Sequence, residues 1–197
     1  VAVPARRKRS GIAVHEITNL NRADIRSHSG LRVTSPARAL LDCAPTLTTK
    51  ELRRAMAGAR RGGLIHPAGL IDLLERNRTH PGVTAIRATM TDHAPTRSEF
   101  EDAFVVFCER HAIPRPMINV RLAGYEVDAY FPDAGLIVQL DGWDYHQDRE
   151  TFEGDRDRDA EALAATGTPT LRVTWERMTT RPDEEARRLT KILETLR

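Results

Sequence analysis

The chain has 197 residues, 40% of them hydrophobic and 29% charged, with a formal net charge of +2. This is ordinary globular composition, enough for one substantial core or two small ones, and no apolar run nears the ~18 residues needed to cross a bilayer. Of the 30 basic residues only Lys8, Lys50 and Lys191 are lysines, leaving 27 arginines. Such a bias suits bidentate phosphate contacts, but GC-rich coding produces it too, and the net charge alone does not argue for nucleic acid.

The opening, VAVPARRKRS, lacks an initiator Met and reads as the start of a piece of something longer. With no signal-peptide pattern, a cytoplasmic setting is expected, with Cys43 and Cys108 as buried helical thiols and no disulfide. A zinc site would need more ligands in clusters. Residues 11 to 34 alternate weakly and predict short strands (GIAVHEI, GLRVTS) around a helical or turn segment. Ser35 as N-cap and Pro36 in the first turn then start a helix through ARALLDCA. A helix from Thr49 to Arg61 follows, ended by Gly62 and Gly63, then one across PAGLIDLLERN and a short one after Pro81 and Gly82. Residues 1–93 are expected to form a small, mostly helical domain.

TDHAP, residues 91–95, interrupts this pattern and marks the expected boundary of a second domain, 94–197. There Thr96 starts a helix with Phe100, Ala103, Phe104, Phe107 and Cys108 on one stripe. Strands MINVRLA, YEVDAYF and GLIVQLD come next, then a charged helix from about Thr151 to Thr166, a strand TLRVTW, and a final amphipathic helix carrying Ala186, Leu189, Leu193 and Leu196. The order α-β-β-β-α-β-α predicts an α/β domain with a mixed sheet covered by helices.

The segment GYEVDAYFPDAGLIVQLDGWDYHQD carries polar groups where a buried sheet wants hydrocarbon. By the period of two, Tyr125, Val127, Ala129 and Phe131 share one face and Glu126, Asp128 and Tyr130 the other; Leu136, Val138 and Leu140 oppose Ile137, Gln139 and Asp141. A hairpin would gather Asp128, Gln139 and Asp141 at one end of the sheet. Two carboxylates ~4 Å apart repel by ~4 kcal/mol at an effective dielectric near 20, so the arrangement needs a cation or a shared proton. Hard oxygen ligands suit Mg²⁺ or Mn²⁺. His146, beyond Gly142, can reach back over the strand end as a general acid or base, a combination that suits phosphodiester hydrolysis.

At these residues, and in FEGDRDRDAEALAATGTPTLRVTW and TRSEFEDAF, the sequence resembles the Vsr-like endonuclease domain of many bacterial proteins, a branch of the PD-(D/E)XK nuclease superfamily. The resemblance covers residues 96–197. It implies a restriction-endonuclease-like core, with Glu99, Asp128 and Asp141 as acidic site residues and His146 as the site histidine. Gln139 departs from the family's usual Glu: an amide oxygen can bind a metal but brings no charge. Upstream, GLRVTSPARALLDCA resembles the middle region of AbiEi-type antitoxins, which implies a cognate toxin as a partner; the nuclease resemblance implies DNA, with a repair system as a further partner.

Structural uses compete for several of these residues. Thr96 and Glu99 also fit a capping box, so capping and metal chemistry both stay open for Glu99. Asp155, Asp157 and Asp159 mimic a calcium loop, but Ala160 stands where glycine is required and Thr166 where a bidentate Glu is. Arg149 and Arg156 are either a solvated helix face or phosphate contacts, and Trp143 and Tyr145 either core cover or stacking surfaces for bases. Two functional readings result: a metal-dependent DNA endonuclease, or a nuclease fold that has lost cleavage and binds DNA as a regulator or antitoxin-like protein.

Overall fold

Side chains at the helix ends set most of the element boundaries. A computed structural model of the protein describes residues 2–3, 11, 15–17, 20–93, 95–142 and 163–197. Short strands β1 (Ala2–Val3) and β2 (His15–Glu16) pair in parallel, and β3 (Ile25–His28) and β4 (Leu31–Thr34) form an antiparallel hairpin. Helices α1 (Pro36–Cys43), α2 (Thr49–Arg61), α3 (Pro67–Arg76) and α4 (Val83–Met90) follow. The Ser35 hydroxyl accepts the Arg38 N–H, and Thr48 with Glu51 forms a reciprocal capping box, so the expected starts of α1 and α2 are met by their cap chemistry. Gly82 has a packing role: a Cβ there would lie 2.5 Å from the Leu41 carbonyl oxygen, so only glycine lets the start of α4 approach α1 this closely.

The TSPARALLD stretch proves to be architectural. Arg38, 2% exposed, pairs with Asp42 at 2.8 Å and with Asp24 at 3.5 Å, while Leu41 is fully buried. Asp24 also accepts from Arg76 Nη2 at 2.9 Å and from the Asn21 N–H at 3.0 Å. Burial pushes the Asp24 carboxyl pKa up, but these hydrogen bonds and the two guanidinium charges outweigh it and hold the group below its ordinary range. The ion cluster ties the β3–β4 hairpin to α1 and α3. Cys43 corrects one expectation: it ends α1 on the exposed side, whereas Cys108 is buried, its thiol pKa pushed far up by desolvation.

Beyond TDHAP, α5 (Arg97–Arg110) leads to β5 (Met117–Leu122), β6 (Tyr125–Phe131), β7 (Leu136–Asp141) and β8 (Thr170–Thr174), then α6 (Trp175–Thr180) and α7 (Pro182–Thr195). The sheet order is β5-β6-β7-β8, antiparallel from β5 to β7 and parallel between β7 and β8, so the protein is mixed α/β with a mixed four-stranded sheet. Strand parity follows the alternation: Val127, Ala129 and Phe131 are buried, and Phe104 of α5 meets Phe131 edge-on at 6.4 Å. Of the expected charged helix, Leu163 to Thr166 are helical and the rest lies outside the described residues.

Trp175 also differs from expectation. It opens α6 instead of ending β8, because the Thr174 hydroxyl accepts the Arg177 N–H and caps a new helix there. The indole packs edge-on against Phe100 at 5.3 Å. Ala186, Leu189 and Leu193 of α7 are buried, but Leu196 is exposed. One buried cluster contains Leu41, Leu52, Leu74 and Ile86 together with Phe100, Phe104, Phe107 and Trp175, so the stretches on either side of TDHAP share a core. Each fully buried aromatic of this set contributes about 1.5–3 kcal/mol by burial. Among the described residues no helix is long and apolar enough to cross a membrane.

Candidate active site

Asp128 sits where the sheet's hydrogen-bond ladders lapse on both sides. Between β5 and β6 the paired residues run Met117–Tyr130 and Ile118–Ala129, then resume at Val120–Val127, passing over Asn119 and Asp128. The cause is local: Asn119 has φ +54°, a left-handed conformation inside a strand, which turns its peptide out of the ladder. On the other side the β6–β7 ladder has Ala129–Val138 as its pair nearest Asp128. Beyond it the Asp128 carboxylate takes the place of a main-chain acceptor: Oδ2 accepts the Leu140 N–H at 2.8 Å.

Continuing that register by one step sets Asp128 opposite Gln139, so Asp128, Gln139 and Asp141 lie on one face, as the alternation predicts. All three are partly exposed. The two carboxylates each have an arginine. Arg97 Nη2, at the first turn of α5, lies 2.9 Å from Asp128 Oδ1 and 3.0 Å from Glu126. Its Nε donates to Glu101 at 3.0 Å, and Asn119 bridges the group, accepting from Arg97 at 3.2 Å and donating to Glu101 at 2.9 Å. Desolvation lowers the Arg97 pKa, but the charges of Asp128 and Glu126 outweigh it and raise the group above its ordinary value. Asp141 accepts from Arg172 Nη1 through both oxygens, at 3.0 and 3.3 Å. Arg172 is the in-register neighbour of Gln139 on β8, so parallel pairing puts it on the same face.

The Glu99 carboxylate serves the cap. Its Oε2 accepts the Thr96 N–H at 2.8 Å and the Thr96 hydroxyl at 3.2 Å, and lies 3.8 Å from Arg60. His146, Trp143, Tyr145, Arg149 and Arg156 lie outside the described residues. Among the described residues no group of three or more His, Cys, Asp and Glu side chains is placed to hold a metal ion. As a donor set, two carboxylates and an amide oxygen on one face fit a hard divalent cation such as Mg²⁺ or Mn²⁺, at the cost of displacing arginine from the carboxylates.

Arg97, Asn119 and Arg172 are the site neighbours that sequence reasoning missed. Arg172 had a signal, being on the polar parity of TLRVTW. Arg97 stood beside the Thr96 and Glu99 cap residues with nothing to show its reach, and the one signal for Asn119 was its residue type, an Asn, which tolerates left-handed backbone, inside the strand MINVRL. The chain was compared with family models, with curated proteins and with solved structures, and none matches it.

Proposed function

We propose that the Asp128 edge of the sheet is the site of a metal-dependent DNA endonuclease with a Vsr-like, restriction-endonuclease-like core, working in the cytoplasm of a bacterial cell. The observation that carries this reading is the lapse of both ladders at Asp128, whose carboxylate lies on the face that also holds Gln139 and Asp141. Left-handed non-glycine backbone inside a strand costs on the order of 1–3 kcal/mol, and such strain concentrates at functional sites.

In this reading Asp128, Asp141 and the Gln139 amide oxygen would hold Mg²⁺ or Mn²⁺. When bound, the ion would polarise the scissile phosphate and lower the pKa of a water nucleophile. The cation would displace Arg97 from Asp128 and Arg172 from Asp141. Both arginines then have charge to offer to phosphate oxygens, in the bidentate geometry a guanidinium favours. His146 is proposed as proton donor or acceptor, and Arg149, Arg156, Trp143 and Tyr145 as contacts to phosphates and bases. A repair system or a cognate toxin would be the protein partner.

A second reading has its own support. Each carboxylate is already neutralised by an arginine of the same chain and Gln139 brings no charge, a combination suited to a nuclease fold that binds DNA as a regulator without cutting it. Cleavage decides between them: supercoiled, linear, nicked and mismatched DNA with Mg²⁺ or Mn²⁺, using Asp128→Ala to exclude contaminating nuclease. Cutting that Asp128→Ala abolishes is the expected result. DNA binding with no cutting on any substrate would overturn the enzyme in favour of the second reading.

A further inference from the structure

We propose that the basic face of α2 docks the phosphate backbone of duplex DNA, extending the footprint of the Asp128 edge onto the N-terminal half of the protein. The inference rests on the reading of that edge as a DNA site. Helix α2 carries Lys50, Arg53, Arg54, Arg60 and Arg61 against a single acid, Glu51, whose carboxylate is spent on the Thr48 cap. At ~100° per residue, Lys50, Arg54 and Arg61 fall within an arc of about 40°, with Ala57 beside them and Arg53 and Arg60 in a flanking row. Leu52 and Met56 lie on the opposite, buried side.

An ordinary solvated helix face mixes its charges. Helix α7 does so: exposed Asp183, Glu184 and Glu194 accompany Arg187 and Lys191, while Glu185, which is buried, pairs with Arg188 and with Arg177. On α2 the only ion pairs among the described residues reach outside the helix, Arg53 to Asp92 at 2.9 Å and Arg60 to Glu99 at 3.8 Å. Lys50 and Arg54 form a like-charge i,i+4 pair, and with Arg53 they crowd the half of the helix whose macrodipole disfavours cations. Arg60 and Arg61, in the last turn, suit the dipole. Self-repulsion in the first half is relieved by a bound polyanion.

Geometry selects the polyanion. Lys50 to Arg61 spans about 16 Å, a length over which duplex DNA presents roughly ten phosphate charges. Small residues between the cations, Ala57 and Gly58, leave room for a backbone to approach. The face is also joined to the candidate site: Arg60 reaches Glu99 in the first turn of α5, and Arg97 in the same turn reaches Asp128.

The test is binding of the full chain to a labelled DNA duplex across a salt series, comparing wild type with the triple variant Lys50→Gln, Arg54→Gln, Arg61→Gln. Loss of three phosphate contacts should make the slope of log affinity against log salt shallower by about 2.7, and weaken binding at least about tenfold at low salt. Arg54→Lys with Arg61→Lys should keep most of the slope, and neutralising the exposed trio Arg115, Arg187 and Lys191 should leave it unchanged. Thermal melts confirm that each variant is folded. An unchanged slope in the triple variant, or no DNA binding by wild type, overturns the inference. So does tighter, α2-dependent binding to phosphatidylserine vesicles or to polyglutamate than to DNA. Asp128→Ala separates the two readings: it should lose cleavage while the slope still becomes shallower by about 2.7 when Lys50, Arg54 and Arg61 are neutralised in the same chain. A wild type that never cuts but shows the α2-dependent slope sinks the nuclease and keeps this surface.

Discussion

The Trp175 indole donates its Nε1–H to the Met90 carbonyl oxygen at 3.0 Å, joining residues 85 apart in sequence. With Arg87 Nη1 donating to the Thr179 carbonyl at 2.8 Å, it fastens α4 to α6 within the shared core. Trp175→Phe should cost about 1–3 kcal/mol, the range for leaving a buried partner unsatisfied. Because both halves contribute to one cluster, unfolding should be a single transition. Denaturant curves followed by circular dichroism and by tryptophan fluorescence on the wild type should coincide, and separated midpoints would show two cores.

Gln139→Glu adds a charge at nearly constant shape beside Asp128 and Asp141. It strengthens attraction to a divalent ion and raises repulsion among the carboxylates, with Arg172 next to it as partial compensation. Melting without metal should stay level or fall slightly. Millimolar Mg²⁺ should then raise the melting temperature of the variant more than that of the wild type, and that of Asp128→Ala not at all, since an ion binding only the native state stabilises by mass action. Three proteins equally indifferent to the ion would remove the metal from the proposed function.

His111, at the C-terminal end of α5, is enclosed by Phe107, whose ring centroid is 4.6 Å away, and by Glu75, Arg78, Arg87 and Asp183. Desolvation lowers its pKa below the ordinary 6.5, Arg78 and Arg87 add to this, and Glu75 and Asp183 oppose it. The unfolded chain therefore takes up the proton first. Stability from this group is complete above about pH 6.5 and is lost as pH falls toward the folded-state value, with a slope of at most ~1.4 kcal/mol per pH unit. Urea midpoints at pH 7.5, 6.5 and 5.5 should fall in wild type and fall less in His111→Gln; parallel curves would assign the loss to other groups.

The β5–β6 turn can be improved. Ala123 and Gly124, with φ +48° and +90°, form a two-residue loop closed by the Leu122–Tyr125 pair, and the left-handed conformation suits Asn better than Ala. Ala123→Asn should stabilise by roughly 0.5–1 kcal/mol, about the size seen for other turn-compatible substitutions. A thermal melt at fixed pH checks it, and a lowered midpoint would mean that Ala123 makes packing contacts which outweigh its strain.

Local chemistry made much of the fold legible. Ser35, Thr48 and Thr96 each start a helix through a hydroxyl acceptor, an interaction confined to neighbouring residues. The alternation in YEVDAYF and LIVQLD gave the parity of Asp128, Gln139 and Asp141, because one face of each strand must meet α5. What stayed hidden depends on distance or on backbone conformation. The parallel pairing of β8 with β7 is long-range, and so is the reach of Arg97 from a helix to two strands. Trp175 matched the strand alternation, yet Thr174 was also a helix cap, and the cap prevailed. Glu99 was open to two uses, and the capping bond is the one formed.

The left-handed Asn119 has a consequence for association as well. Strand β5 is an outer strand of the sheet, and Met117 on it is half exposed. A straight outer strand offers an uninterrupted row of N–H and C=O groups on which another chain can add a strand of its own. Here the row is broken at its third residue, which leaves two stretches, Met117–Ile118 and Val120–Leu122, each too short to template a growing sheet. The left-handed residue that interrupts the ladder beside Asp128 thus also blunts the edge against β-aggregation, and restoring an extended residue at position 119 would remove that protection.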